Sequence, residues 1–323
     1  MIANILRWSA NGLLVLLLSV ILLITSFRLA ASIRETGART QLAPPTGHLV
    51  PTRSGGVFVQ EKGPADGIPV VLFHGTAAWS ELWRHTSDVL AAAGFHVIAL
   101  DLPPFGFSDR PGSYTRQDQA ARISDVLDTL KAAPAIIVGH SFGAGAATEL
   151  AMRYPDRARA LVLVDAALGL TAAPSAAPWV TQPQWIREIL VSLTITNPVA
   201  TQMLLKSLIA KKERALPEYV AILQRPLTQR NSTSDIADWL YYFLGTDTDA
   251  ASADRNAYAR LKPPVAILWG DKDTITPIEQ ALDLRTLLPP DTDLTLLRGL
   301  GHIPQIEDPG MFNDALLKIL GKL

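Results

Sequence analysis

Residues 135–138, Ala-Ile-Ile-Val, run directly into Gly139-His140-Ser141-Phe142-Gly143, and a helix-forming stretch at 144–154 follows at once. A G-x-S-x-G that closes a buried strand and opens a helix describes a tight turn with the serine at its apex. The spacing has a steric cause. The incoming strand and outgoing helix pass so close that the residues two before and two after the serine must lack bulky side chains, and the serine itself takes up a strained backbone conformation. Gly139 and Gly143 meet that need, and Gly145 and Ala146 keep the next helical turn thin. The helix also aims its free N–H groups and positive dipole end at Ser141, which favours negative charge forming there. Such a serine can act as a nucleophile.

A length of 323 residues suits one α/β domain carrying an insertion. An apolar content of 48% with a net charge of −1 points to a large core, and no basic stripe marks a nucleic-acid partner. The absence of cysteine excludes disulfides, thiolate metal sites and a cysteine nucleophile.

The N-terminus is a separate object. Residues 9–27 form 19 consecutive uncharged, mostly aliphatic positions, which as a helix would reach roughly 28 Å, about the hydrocarbon thickness of a bilayer. Arg7 and Trp8 on one side and Phe27 and Arg28 on the other resemble interfacial anchors. A cleaved signal peptide would carry a shorter apolar core and a small-x-small cleavage site, for which Ala30-Ala31-Ser32 is a weak match. Residues 1–29 are therefore expected to be a single-pass membrane anchor; Arg7 and the amino terminus face Arg28, Arg34 and Arg39 across it, a count that does not favour a translocated C-terminal domain and leaves the side open. Residues 30–49, with Pro44-Pro45 and scattered Gly and Thr, read as a linker, and 50–323 as the globular domain.

Within that domain, short β-branched runs at 57–60, 70–73, 96–100, 136–138, 160–164, 265–269 and 294–297 are predicted strands. Helical patterns at 81–93, 117–131, 144–154, 278–288 and 309–319 separate them. Strands apolar on both faces and divided by helices predict a mostly parallel sheet covered on both sides. From about 168 to 260 the alternation stops and amphipathic segments appear at 185–193, 198–211 and 235–244. This insertion reads as a helical lid over the carboxyl edge of the sheet, where open α/β folds hold ligands.

A serine hydroxyl needs a base, and the base needs an acceptor to fix its tautomer. Of six histidines, His48 lies in the linker, and His85 and His96 sit beside a helix and a strand with nothing marking them out. His140 must point away from its neighbour Ser141, and His74, ending a strand in His74-Gly75-Thr76, suggests a different task. His302, in the loop after the last predicted strand, remains as the base. The carboxylate is expected between them in the chain, where Gly270-Asp271-Lys272-Asp273 follows the penultimate strand. Asp273 is preferred, Asp271 reads as a turn residue, and Asp165, ending the 160–164 strand, is a second candidate. The backbone N–H of Phe142 is one expected donor to an oxyanion, and the N–H of Thr76, with Ala77 next, is the other.

His74-Gly75 with Trp83, then Asp101-Leu102-Pro103-Pro104-Phe105-Gly106-Phe107-Ser108, the pentapeptide, Gly270-Asp271-Lys272-Asp273, and Gly301-His302 with Glu307 and Pro309 occur in this order. Together they resemble the α/β-hydrolase superfamily, in the branch holding small esterases, carbon–carbon bond hydrolases, cofactor-free haloperoxidases and epoxide hydrolases. The resemblance spans about residues 50–323 and implies Ser141 as nucleophile, Asp273 as acid and His302 as base. Two departures stand out. Haloalkane and epoxide relatives use an aspartate where this chain has Ser141, which disfavours an alkyl-enzyme, and Pro104 stands where a glycine is common.

The resulting expectation is a serine hydrolase cleaving a carboxylic ester through an acyl-enzyme, without a cofactor or metal. A carbon–carbon bond hydrolase or a haloperoxidase-like activity would use the same triad. A non-catalytic binding module on this fold would lack a triad member, and none is lacking. The anchor and an apolar lid that includes Trp239, Tyr241, Tyr242 and Phe243 suggest a small, lipophilic ester as substrate and the membrane as location.

Overall fold

The computed structural model describes residues 2–170, 175–245 and 247–323, with side chains from residue 11 onward. Part of the expected lid, 171–174, and the Arg7 and Trp8 side chains lie outside the described residues. The chain opens with α1 (Ile2–Arg34) and α2 (Arg39–Leu42), followed by β1 (Gly47–Thr52), β2 (Gly55–Lys62), β3 (Pro69–Phe73), α3 (Arg84–Ala92) and β4 (His96–Leu100). Next come α4 (Arg116–Thr129), β5 (Ala135–His140), α5 (Phe142–Arg153) and β6 (Ala158–Val164). The insertion supplies α6 (Gln184–Leu193), α7 (Pro198–Leu208), α8 (Pro217–Gln224) and α9 (Ser232–Leu244). Then β7 (Val265–Gly270), α10 (Ile278–Leu287), β8 (Asp293–Leu297), α11 (Pro304–Glu307) and α12 (Pro309–Leu320) complete it.

The strands form one eight-stranded sheet in the order β1-β2-β4-β3-β5-β6-β7-β8. It is parallel from β4 to β8 and antiparallel at β1–β2 and β2–β4. Alternation along each central strand divides the apolar residues between two layers. Val71, Phe73, Ile137, Leu161, Leu163, Ile267 and Trp269 face one core with α4, α5 and α10. Val70, Leu72, Ile136, Val138, Val162 and Leu268 face the other, with α3 and α12. Burial on both faces is why these strands read as unbroken apolar runs.

Three elements depart from the predicted pattern. The helix expected at 81–93 begins as a 3-10 turn, Ser80–Trp83, before α3, because the Ser80 N–H is drawn to Asp101 Oδ1 at 2.7 Å. The edge strand β1 was not foreseen, since its Pro51 interrupts the strand signal; an edge position tolerates that proline. The short α8 opens with Pro217 and no side-chain cap, which leaves little for pattern reading.

Residues 30–49, expected as a linker, make specific contacts. Ala31 and Glu35 are buried, Gly37 bridges to Gln229, and Arg39 pairs with Asp109.

The far end of the insertion is fastened to α5 by Glu149, fully buried, whose carboxylate accepts from Ser252 N at 2.7 Å and Ala251 N at 3.2 Å and pairs with Arg153. Replacing Glu149 with alanine strands those two N–H groups, so we expect a loss of about 1–3 kcal/mol in urea unfolding. Arg153→Ala, at a partly exposed ion pair, should lose no more than about 1 kcal/mol. Equal losses in the two variants would show that the backbone caps contribute little.

Candidate active site

The turn after β5 puts Ser141 at φ 51°, ψ −123°, in the region that side-chain-bearing residues avoid. Three bonds hold it there: Ser141 N donates to Val164 O at 3.0 Å, and Ser141 O accepts from Ala144 N at 3.0 Å and Ala167 N at 3.1 Å. Flanking glycines are a matter of space. A Cβ on Gly139 would lie 2.7 Å from Ala147 Cβ, and one on Gly143 only 2.5 Å from the His74 carbonyl oxygen.

His302 reaches this turn from the loop after β8. Its Nε2 is 2.8 Å from Ser141 Oγ and its Nδ1 2.7 Å from Asp273 Oδ2. A carboxylate can only accept, so the ring proton belongs on Nδ1 and Nε2 is left to accept from the serine hydroxyl. The structure thus brings together Ser141, His302 and Asp273, all nearly inaccessible to solvent. Asp271 instead accepts from Gly299 N at 2.6 Å, tying the loop after β7 to the loop after β8.

Asp273 is held by three further contacts from its own loop. Its Oδ1 accepts from Ile275 N at 2.7 Å and Thr276 N at 3.0 Å, and Thr276 Oγ1 donates to Oδ2 at 2.5 Å while lying 3.3 Å from His302 Nδ1. Burial pushes this carboxyl upward, but the bonds from His302 and Thr276 outweigh it and hold it below the usual carboxylate range. Asp165 behaves oppositely. It accepts from Gly270 N at 2.9 Å and makes no bond to His302. Burial first, and the neighbouring Asp273 charge second, drive its carboxyl well above the ordinary value.

His140 turns away from Ser141, as its place in the turn requires, and its Nε2 donates to the His302 carbonyl at 2.7 Å. Burial, with His302 next, lowers its pKa to about 3. On the other side, Glu307 Oε1 accepts from Gly301 N at 2.9 Å, and its Oε2 accepts from Ala210 N and Lys211 N at 2.8 and 3.0 Å. His302 N also donates to Leu208 O at 3.0 Å. The histidine loop is therefore clasped between the pentapeptide and the end of α7.

His74 and Asp101 shape the facing loop. His74 Nδ1 donates to Gly75 O at 2.7 Å and Nε2 accepts from Leu102 N at 2.8 Å; burial lowers its pKa to about 4, so the ring is neutral. Asp101 accepts from Ser80 N and Phe107 N, both at 2.7 Å. The loop they hold carries Thr76 and Ala77, whose N–H groups, like that of Phe142, make no hydrogen bond among the described residues. Thr276 is the contact that sequence reasoning missed. Its hydroxyl position three residues after Asp273 carries no signal by itself.

Beside Ser141 and His302 lies a cavity of about 340 Å³, walled by the 75–78 loop, by Thr201, Leu204, Leu205 and Leu208 of α7, and by Phe243 of α9. Apart from His140 and His302, no ionisable side chain lines it among the described residues. Among those residues no group of three or more His, Asp or Glu is placed to hold a metal ion.

A strained serine turn after a buried strand, a mostly parallel sheet and an inserted helical layer describe a hydrolase fold, and comparison with known proteins agrees. Residues 68–309 match the α/β hydrolase fold family, and the chain belongs to it. It is 28% identical over 261 residues to a 2-hydroxy-6-oxononadienedioate/2-hydroxy-6-oxononatrienedioate hydrolase of Paraburkholderia phymatum, covering 78% of this chain and 87% of that one. Among solved structures it resembles a putative lipase from Acinetobacter baumannii AYE, with TM-score 0.70 and 21% identity over 92% of this chain and 96% of the other. A membrane phospholipase A described as a bacterial virulence factor aligns over 98% of both chains, with TM-score 0.66 and 22% identity. At these identities the two structures speak to fold.

The depressed Asp273 carboxyl has a pH consequence. Its folded state binds a proton less readily than the unfolded chain, so its contribution is complete above the unfolded value, about 3.9, and is lost as pH falls through the lower folded one. The stability difference between the natural protein and Asp273→Asn should therefore shrink below about pH 4 in urea titrations. A difference independent of pH would contradict this.

Proposed function

We propose that the protein is a serine hydrolase that cleaves carboxylic esters with a lipophilic acyl group. The observation that carries this reading is the bonded series Ser141–His302–Asp273 opening onto an apolar cavity. Ser141 Oγ attacks the ester carbonyl while His302 Nε2 takes its proton, and Asp273 stabilises the imidazolium without itself being protonated. The carbonyl oxygen becomes an oxyanion held by the N–H groups of Phe142 and Thr76. His302 then gives the proton to the departing alcohol, and water, activated by the same ring, releases the acid and restores Ser141.

The relative from Paraburkholderia phymatum supports a second reading, hydrolysis of a carbon–carbon bond by the same residues. Its substrate name describes a dicarboxylate, which would need a cation in the pocket to offset desolvation. The absence of any lysine or arginine among the described cavity residues favours the ester.

We also read α1 as a membrane anchor. Within residues 11–34 an 18-residue stretch has a mean hydropathy of 2.5, and the aliphatic side chains from Leu13 to Leu23 project from the body without packing on it. The protein is then held at a membrane with its catalytic domain alongside.

With p-nitrophenyl octanoate, Ser141→Ala should lose at least about 10³-fold in kcat and Asp273→Asn about 10³- to 10⁴-fold. Asp165→Asn, which removes no bond to His302, should stay within about tenfold of the natural protein. If Asp165→Asn falls as far as Asp273→Asn, the acid is misassigned. Turnover of a vinylogous diketone in preference to the ester would establish the second reading.

A further inference from the structure

The last two turns of α1 are locked to the lid. Arg28 Nε donates to Glu188 of α6 at 3.1 Å, Arg34 Nη2 donates to the Thr196 carbonyl at 2.5 Å, and Ala31 is fully buried. Just beyond the helix, Glu35 accepts from Thr233 N at 3.1 Å and from the Thr233 hydroxyl, at the start of α9. Arg230 and Arg225 donate to the carbonyls of Thr36 and Leu42 at 3.2 and 2.8 Å. Arg28 is the first charge after the uncharged run. Its bond to Glu188 therefore sets α6 at the height where the anchor leaves the hydrocarbon.

The other side of those two turns stays apolar and open. Leu29 and Ile33, one turn apart, are 60% and 67% exposed, carrying the lipid-facing stripe of α1 past Arg28. Exposed apolar side chains also stand on α6, which packs against α1, and on the segments either side of it: Trp185 on α6, Trp179 just before it at 84% exposed, and Val199 and Met203 one turn apart on α7. Lys206 extends the α7 stripe with an exposed ammonium. Phe243 on α9, which packs against α6, is half exposed and also lines the cavity.

We propose that this face of the lid lies in the interfacial layer of the bilayer that α1 crosses, and that the cavity takes a fatty-acyl ester from the bilayer rather than from water. The inference rests on the ester and anchor readings above. An apolar patch of this kind needs cover, and the anchor it adjoins supplies a bilayer at the same height. Tryptophans at the headgroup level, an amphipathic helix lying in the membrane plane and a snorkelling lysine are the features that hold a protein surface there.

Because the chain has no cysteine, Val15→Cys, Val199→Cys and Asp156→Cys each place a single fluorophore on the full-length protein in phosphatidylcholine vesicles containing nitroxide-labelled lipid. Asp156 is exposed in the turn before β6, at the opposite edge of the sheet. Labels at 15 and 199 should be quenched by the lipid nitroxide and the label at 156 should not. Quenching at 15 but not at 199, with the 199 label open to aqueous iodide, overturns the docking and leaves the anchor standing. A 199 label shielded from both quenchers means a second copy covers the face, which also overturns it. An unquenched label at 15 removes the anchor and the docking with it. In the same vesicles, Trp185→Glu/Val199→Glu/Met203→Glu should reduce hydrolysis of embedded 4-methylumbelliferyl oleate at least about tenfold and leave p-nitrophenyl butyrate turnover unchanged. Equal loss on both esters overturns bilayer delivery, and no turnover of either by the natural protein would instead defeat the ester reading.

Discussion

Between β5 and α5 the backbone reverses in a space that admits no side chain at Gly139 or Gly143, and that crossing presses Ser141 into a conformation it would not choose. Strain of this sort costs on the order of 1–3 kcal/mol and persists only where the surroundings over-determine it. Here the surroundings are the neighbouring strand end at Val164, the first turn of α5 and Ala167. Because the same turn sets the hydroxyl at the sheet edge, the positions of His302, Asp273 and the facing loop have meaning only relative to it.

The loops around that turn are built as interlocking polar clasps. His140 holds the His302 carbonyl, Glu307 ties Gly301 to the end of α7, and His74 with Asp101 secures the 75–80 segment. Their buried, neutral or fully bonded states allow ionisable groups to sit in low-dielectric surroundings without large unpaired charge. Asp273 and Asp165 show how environment separates two like groups. Four loop and ring donors hold the first below the ordinary carboxylate range, while burial and then the charge of the first raise the second. Two charged carboxylates here would repel across a short, dry gap.

Much of the fold could be read from the chain because its signals are local. The apolar runs of β3, β5, β6 and β7 are buried on both faces and needed no alternation to be recognised. The residues of the candidate site could be named because each of Ser141, Asp273 and His302 stands in a distinctive string just after a strand. What stayed hidden depends on distant partners. Ser80–Trp83 takes a 3-10 form through Asp101, β1 is a strand only because β2 pairs with it, and Thr276 matters through a bond that no spacing reveals. The contacts of 35–42 with 225–233 join segments nearly two hundred residues apart. Their polar, turn-rich composition resembles any linker.

We propose that Ser141 is activated by His302 within this buried chain of hydrogen bonds. Intact-mass and peptide-mapping measurement after exposure to an alkyl fluorophosphonate tests it most directly. The account predicts one covalent adduct, on Ser141, that fails to form on the same timescale in folded His302→Ala. No adduct, an adduct on another serine, or equally fast labelling without His302 would contradict it.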